Sequence, residues 1–190
     1  LAAFAAALRA GADGIELDVR LSRDGVPVVI HDATLDRTTD GRGPVSDATA
    51  AELSARDAGS WFGPEFRSER VPVLSDVLQL FGRDLEFRVE IKHDTFRGAR
   101  FTAQQVTDVI RRYHPDPAAV WISSFNPGVL AWCRRLAPEA GTARLFSPTA
   151  SHRAARWHRG LGWMGVRAVD VPVAATVFRA GRDRIWESRL

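Results

Sequence analysis

A chain of 190 residues fits one domain of ordinary size or most of a closed α/β barrel, and 45% hydrophobic content with 10 Phe and 6 Trp excludes intrinsic disorder. The formal net charge of +3 is too small to point to nucleic acid, and the single cysteine, Cys133, excludes an intrachain disulfide. No apolar run approaches the roughly 18 residues of a membrane span, so no transmembrane segment is expected.

Leu1 to Leu8 is an apolar helical stretch that reaches Gly11 as a cap. It has neither the basic start nor the small-residue cleavage site of a secretory signal, and it reads as a barrel helix downstream of a truncated N-terminus. Asp13 to Arg20 alternates apolar and polar residues, and Val26 to Ile30 is a β-branched run closing at His31-Asp32, so both are expected strands. Leu35 to Ser75 is rich in Gly, Asp, Ser and Thr. It holds one short helical piece, Ala48 to Asp57, with Asp47 or Ser46 as cap, and an aromatic cluster of Trp61, Phe62 and Phe66 expected to form a small local core.

Beyond this excursion helix and strand alternate. Pro72 to Phe81 is an expected helix, Leu85 to Lys92 a strand, Thr102 to Tyr113 a helix and Ala119 to Ser124 a strand. Pro127 to Ala137, Ala143 to Phe146, Ser151 to Arg159 and Val166 to Val171 continue as helix, strand, helix and strand. That rhythm predicts a parallel α/β architecture of the (β/α)8 barrel type, in which chemistry collects at the C-terminal ends of the strands. An open nucleotide-binding sheet would need a Gly-rich first turn, and no GxGxxG or GxxxxGK[ST] occurs.

The expected strand ends carry Glu16 and Asp18, His31, Glu90 and Lys92, Ser123 and Ser124, and Asp170. Glu16 and Asp18 lie two apart, so their carboxylates share a face, either as a solvent-facing stripe or as a site for a hard cation such as Ca²⁺ or Mg²⁺. A two-residue Asp24-Gly25 turn would set Asp18 opposite His31 and bring an imidazole, with its near-neutral pKa, to the pair as a general acid or base. Glu90 and Lys92 repeat the spacing: a barrel-interior ion pair on one reading, a third cation ligand and an ammonium for an anionic substrate on the other. Lys92 is the only lysine in the chain, which tips that choice toward function. Ser123 and Ser124 lack a nucleophile elbow, Asn126-Pro127 reads as a helix start, and His93, His114, His152 and His158 fit no zinc spacing.

Taken together, Gly11 to Val19, Asp24 to Asp32, Leu35 to Gly43 with Ala58 to Phe62, Val89 to Lys92 and Ile122 to Asn126 resemble, in order, the glycerophosphodiester phosphodiesterase family. The resemblance implies a TIM-type (β/α)8 barrel that is incomplete here, lacking its first and last strands, with residues 1–190 a partial domain and an insertion at about 35–75. It implies metal-dependent hydrolysis of a small-molecule glycerophosphodiester to glycerol 3-phosphate and an alcohol. Glu16, Asp18 and Glu90 would hold the divalent cation, Ca²⁺ or Mg²⁺, His31 would be a general acid/base, and Lys92 would contact the phosphate. The family's second catalytic histidine, in a His-Arg-Gly strand, has no counterpart before Leu1, and His158-Arg159-Gly160 reads as a coincidence. A catalytically silent barrel that only binds phosphodiesters or a protein partner is therefore the rival expectation, and bare strand edges would make the chain aggregation-prone. A phosphatidylinositol-specific phospholipase C or sphingomyelinase D relative would fit residues 35–75 less well.

Overall fold

In the computed structural model the described residues are 1–92, 98–145, 175–179 and 187–188. Alternation along the strands, combined with helices between them, builds a curved mixed sheet with one apolar and one polar face. The first helix, α1 (Ala2–Arg9), stops where Gly11 takes the positive φ of 76° that a helix end favours. It leads into β1 (Gly14–Leu21), the hairpin partner β2 (Pro27–Val29), α2 (Ala50–Ser54), α3 (Leu74–Phe81) and β3 (Glu86–Ile91). Then come α4 (Ala99–Tyr113), β4 (Val120–Ser124), α5 (Pro127–Leu136), β5 (Gly141–Arg144), β6 (Ala175–Arg179) and β7 (Glu187–Ser188).

The sheet order is β5-β4-β3-β1-β6-β7, with β2 pairing beside β1. The run β1, β3, β4, β5 is parallel, with α3 and α4–α5 supplying the crossovers, as the alternation predicts. The edge of β1 expected to be bare is instead paired antiparallel by β6, from Gly14 opposite Phe178 to Leu17 opposite Ala175. Backbone groups on an unpaired edge recruit whatever strand is near, and a segment for which no strand was expected fills that role. The expected helix at 151–159 and the expected strand at 166–171 lie outside the described residues, as do Asp170 and His158.

Ile15, Leu17 and Val19 of β1, Phe87, Val89 and Ile91 of β3, and Val120 and Ile122 of β4 point to one side. There they pack against Phe4 of α1, Leu74, Val77 and Leu78 of α3, Ala103, Val106 and Ile110 of α4, and Val129, Leu130 and Cys133 of α5. Burial of this kind stabilises by about 1.5–3 kcal/mol per large side chain, so this face holds the helices on the sheet. Asn126 caps α5 as expected, its side-chain oxygen accepting from the Gly128 and Val129 amides. Trp121, on the other face, lies so close to Gly141 of β5 that a Cβ there would come within 2.5 Å of the indole, which explains a glycine inside that strand.

Between β2 and α3 the chain forms a second apolar cluster of Val28, Ile30, Leu35, Val45, Leu53 and Val71. Two expectations are corrected here. The short helix is capped by Thr49, not Asp47 or Ser46: the Thr49 hydroxyl accepts from the Glu52 amide while Glu52 reaches back to the Thr49 amide, a reciprocal pair written in the sequence as Thr-x-x-Glu. The aromatic cluster is not a core either, because Trp61 is 50% and Phe62 72% exposed. Phe62 packs edge to face on Trp61 at 5.8 Å and on Phe66 at 5.4 Å, outside the aliphatic cluster.

Candidate functional site

On the polar face the register of two parallel strands decides which charges meet. Asp18 lies directly beside Glu90 and Glu16 beside Arg88, 72 positions apart in each pair, so the i, i+2 pairs of two distant strands become one cluster. Glu16, Asp18 and Glu90 each offer a carboxylate oxygen, and these three atoms lie within 4.8 Å of one another. Lys92 leans over them, its Nζ 3.1 Å from Asp18 Oδ1 and 2.6 Å from Glu90 Oε1. The Lys92 amide donates to the Val19 carbonyl, which extends the β1–β3 ladder and fixes the origin of that side chain.

Such crowding is electrostatically unfavourable. Burial, reinforced by repulsion from Asp18 and Glu90, pushes the Glu16 carboxyl up to about 8, while Lys92 and Arg88 pull it the other way. Burial also raises Glu90, and Lys92 is the main opposing influence. Burial works against the Lys92 charge, but Glu90 and Asp18 outweigh it and raise the ammonium's pKa. Apart from that ion contact, the buried Glu90 Oε1 has no hydrogen-bond partner. Three converging, oxygen-only donors from mutually repelling, buried or half-buried carboxylates fit a divalent cation well, and their hardness suits Ca²⁺ or Mg²⁺ better than a thiolate-seeking metal.

His31 reaches the same end of the sheet by a different route from the one expected. The hairpin loop has three residues, Arg23, Asp24 and Gly25, with Gly25 at φ 83° and the Ser22 amide donating to the Val26 carbonyl. The extra loop residue shifts the register by one: Val19 faces Val29, and the Ile30 amide donates to the Asp18 carbonyl, so Ile30 and not His31 stands opposite Asp18. His31 follows just past the strand, its carbonyl accepting from Arg20 Nε at 2.9 Å. A protonated imidazole there lowers the Glu90 pKa, so His31 remains within electrostatic reach of the carboxylates.

Four residues beside this cluster escaped the sequence reading. Arg88 and Arg20 continue the same i, i+2 faces as Glu90 and Asp18, so extending each stripe by one step would have found them. Asp32 sits 2.7 Å from His31 Nδ1, and Arg37 grips Asp32 at 2.6 and 2.8 Å. No periodicity marks those two, because they lie in an irregular loop. Ser123 and Ser124 are buried, and the Ser124 hydroxyl donates to the Ile91 carbonyl and accepts from the Asn126 amide, a structural role. His114 is buried far along the chain from this site, edge-on to Phe87, with Nδ1 accepting from the Asp116 amide.

Comparison with known proteins gives the family of the chain. The sequence profile of the glycerophosphoryl diester phosphodiesterase family matches residues 1–185. A Caldanaerobacter subterraneus subsp. tengcongensis protein named glycerophosphodiester phosphodiesterase is 41% identical over 149 residues, covering 77% of this chain and 60% of its own length. Among solved structures, an Oleispira antarctica phosphodiesterase in complex with the product sn-glycerol-3-phosphate superposes with a TM-score of 0.73 at 32% identity, over 82% of this chain and 64% of that one. A glycerophosphodiester phosphodiesterase from Agrobacterium tumefaciens gives 0.66 at 36%, over 74% and 58%. These chains carry the barrel of which the described sheet and helices here form an incomplete version, and this chain spans about 60% of the length of these three relatives. With the profile matched along nearly its whole length, the chain belongs to the glycerophosphoryl diester phosphodiesterase family.

Proposed function

We propose that this protein hydrolyses glycerophosphodiesters to glycerol 3-phosphate and an alcohol. The observation that carries the reading is the convergence of Glu16, Asp18 and Glu90 within 4.8 Å on the polar face of β1 and β3. On this reading these carboxylates hold a divalent cation, Ca²⁺ or Mg²⁺, which when bound acts as a Lewis acid on a phosphoryl oxygen. Lys92 stands as a flexible point charge beside them, suited to a second phosphoryl oxygen, where charge grows as the bond to the leaving alcohol breaks. His31, at the same end of the sheet, moves the proton of the attacking or departing oxygen. On the same reading, residues at about 35–75 are an insertion into the barrel.

The test is release of glycerol 3-phosphate from glycerophosphocholine, glycerophosphoethanolamine and glycerophosphoinositol, with Mg²⁺ or Ca²⁺ and with chelator. Cation-dependent release that vanishes in Glu90→Gln is the expected result. Release that survives chelation, or no release together with no cation-induced rise in Tm, overturns it. A cation at about 100 times its Kd should stabilise the folded chain by about 2.7 kcal/mol, a readout that does not require turnover.

A further inference from the structure

Beside the carboxylate cluster, His31, Asp32 and Arg37 form a linear chain of contacts whose direction can be derived from the chemistry of each member. Arg37 presents two donors to one carboxylate, Nε to Asp32 Oδ2 at 2.6 Å and Nη2 to Oδ1 at 2.8 Å, the fork geometry that suits a planar guanidinium. Asp32 Oδ1 is also 2.7 Å from His31 Nδ1. We propose that Arg37 is a positioning residue for His31: by forking onto Asp32 it makes that carboxylate hold the proton on His31 Nδ1, so that Nε2 is the atom that exchanges protons with the substrate.

The argument is one of donor and acceptor inventory. A guanidinium only donates, and a carboxylate gripped by it stays ionised and only accepts. The hydrogen bond from Arg37 holds the Asp32 carboxyl well below its ordinary range, partial burial opposing and the contact with His31 assisting. Nδ1 must then be the donor in its contact with Oδ1, and a neutral imidazole with its proton there presents a lone pair at Nε2. The backbone is held as well, since Arg20 of β1 donates to the His31 carbonyl. Two independent anchors thus orient the ring, one through its nitrogen and one through its peptide. Arg37 spends its Nε and one Nη on Asp32, and because further N–H groups remain on the guanidinium, a split between kcat and KM separates positioning from direct capture of a phosphate.

The inference rests on the acid/base role given to His31 above, and its test separates the two. In the chain labelled with ¹⁵N-histidine, with the pH raised until the ring signals no longer change, His31 should show a protonated Nδ1 and an unprotonated Nε2, the signals being assigned by their loss in His31→Gln. Arg37→Met should convert this to a mixture of tautomers, and Arg37→Lys, which keeps the charge without the fork, should convert it partly. In turnover, Arg37→Met should lower kcat about tenfold with KM little changed, and Asp32→Asn should lower it by about 10²–10⁴-fold, as loss of the carboxylate behind a catalytic imidazole does elsewhere. A wild-type ring protonated at Nε2 overturns the inference, as does an Arg37→Met variant whose tautomer is unmoved or whose defect lies in KM. The expected tautomer shift in a protein without turnover supports the positioning inference and sinks the functional reading alone.

Discussion

The two faces of β1 and β3 are built from alternate residues of the same short segments and obey opposite physics. Ile15, Leu17, Val19, Phe87 and Val89 are at most 1% exposed and pack in the apolar core. One residue along, Glu16, Asp18, Arg88, Glu90 and Lys92 crowd charges into a half-buried space in which Glu16 keeps its proton up to about 8. Period-2 geometry lets one strand do both, because neighbouring side chains never share an environment. The apolar face supplies the free energy that tolerates the charged one, and the charged one is arranged for a ligand that neutralises it. A protein shaped for stability alone would have left one of those carboxylates out.

That contrast can be tested by mutating each face and asking which property moves. The largest effect belongs to the charged side: His31→Ala should lower turnover by about 10²–10⁴-fold while cation binding and the urea midpoint stay close to wild type. Near-normal turnover would remove His31 from the chemistry. On the apolar side, Phe87→Ala should cost about 3–5 kcal/mol in urea unfolding, with cation affinity per folded molecule unchanged, and a loss of cation binding out of proportion to stability would show that the two faces are coupled.

A smaller effect of opposite sign is expected at Glu16. In the absence of cation at about pH 8, Glu16→Gln should raise stability by about 1 kcal/mol, since it deletes a charge that burial and two neighbours disfavour. The same variant should lose the stabilisation given by Mg²⁺ or Ca²⁺, and a destabilised metal-free Glu16→Gln would mean that the carboxylates are satisfied without an ion.

The smallest effect concerns His114, whose burial beside Phe87 lowers its pKa below the ordinary 6.5, with the Asp116 contacts opposing. For a base with a lowered folded pKa the unfolded chain binds more protons, so stability is full above about 6.5 and falls as pH drops below it toward the folded value. His114→Gln should flatten that decline between about pH 7.5 and 5.5 by less than about 1 kcal/mol, read as the change in urea midpoint. A decline of wild-type steepness in the variant would assign it to other groups.

Local pattern carries information over a few residues, and that is how far the sequence reading of this protein reaches. Alternation placed Glu16 with Asp18 and Glu90 with Lys92 on shared faces, the helix–strand rhythm announced the parallel run β1, β3, β4, β5, and Asn126-Pro127 announced α5. The Thr49 cap was equally legible, as Thr-x-x-Glu, and was missed in favour of its neighbours. The hairpin shows where such reading ends: Asp24-Gly25 suits a two-residue turn, but Gly25 at positive φ serves equally in a three-residue loop, and only the Val19 to Val29 pairing decides between them. The same holds for Trp61 and Phe62, whose hydrophobicity says they gain from burial, whereas the space was already filled by Leu35, Val45, Leu53 and Val71.

The resemblance named the carboxylates of the site, but the geometry that brings them together belongs to the tertiary structure. The meeting of the two acidic stripes rests on a parallel register that sets Asp18 beside Glu90, and a slip of one residue would have turned Glu90 away into the apolar core. The Arg37–Asp32–His31 contacts depend on a loop path with no period at all. Residue spacing determines which side chains share a face, because that is local stereochemistry; which faces then confront each other depends on the packing of strands paired 72 residues apart, where the free energy of the whole apolar side sets the register.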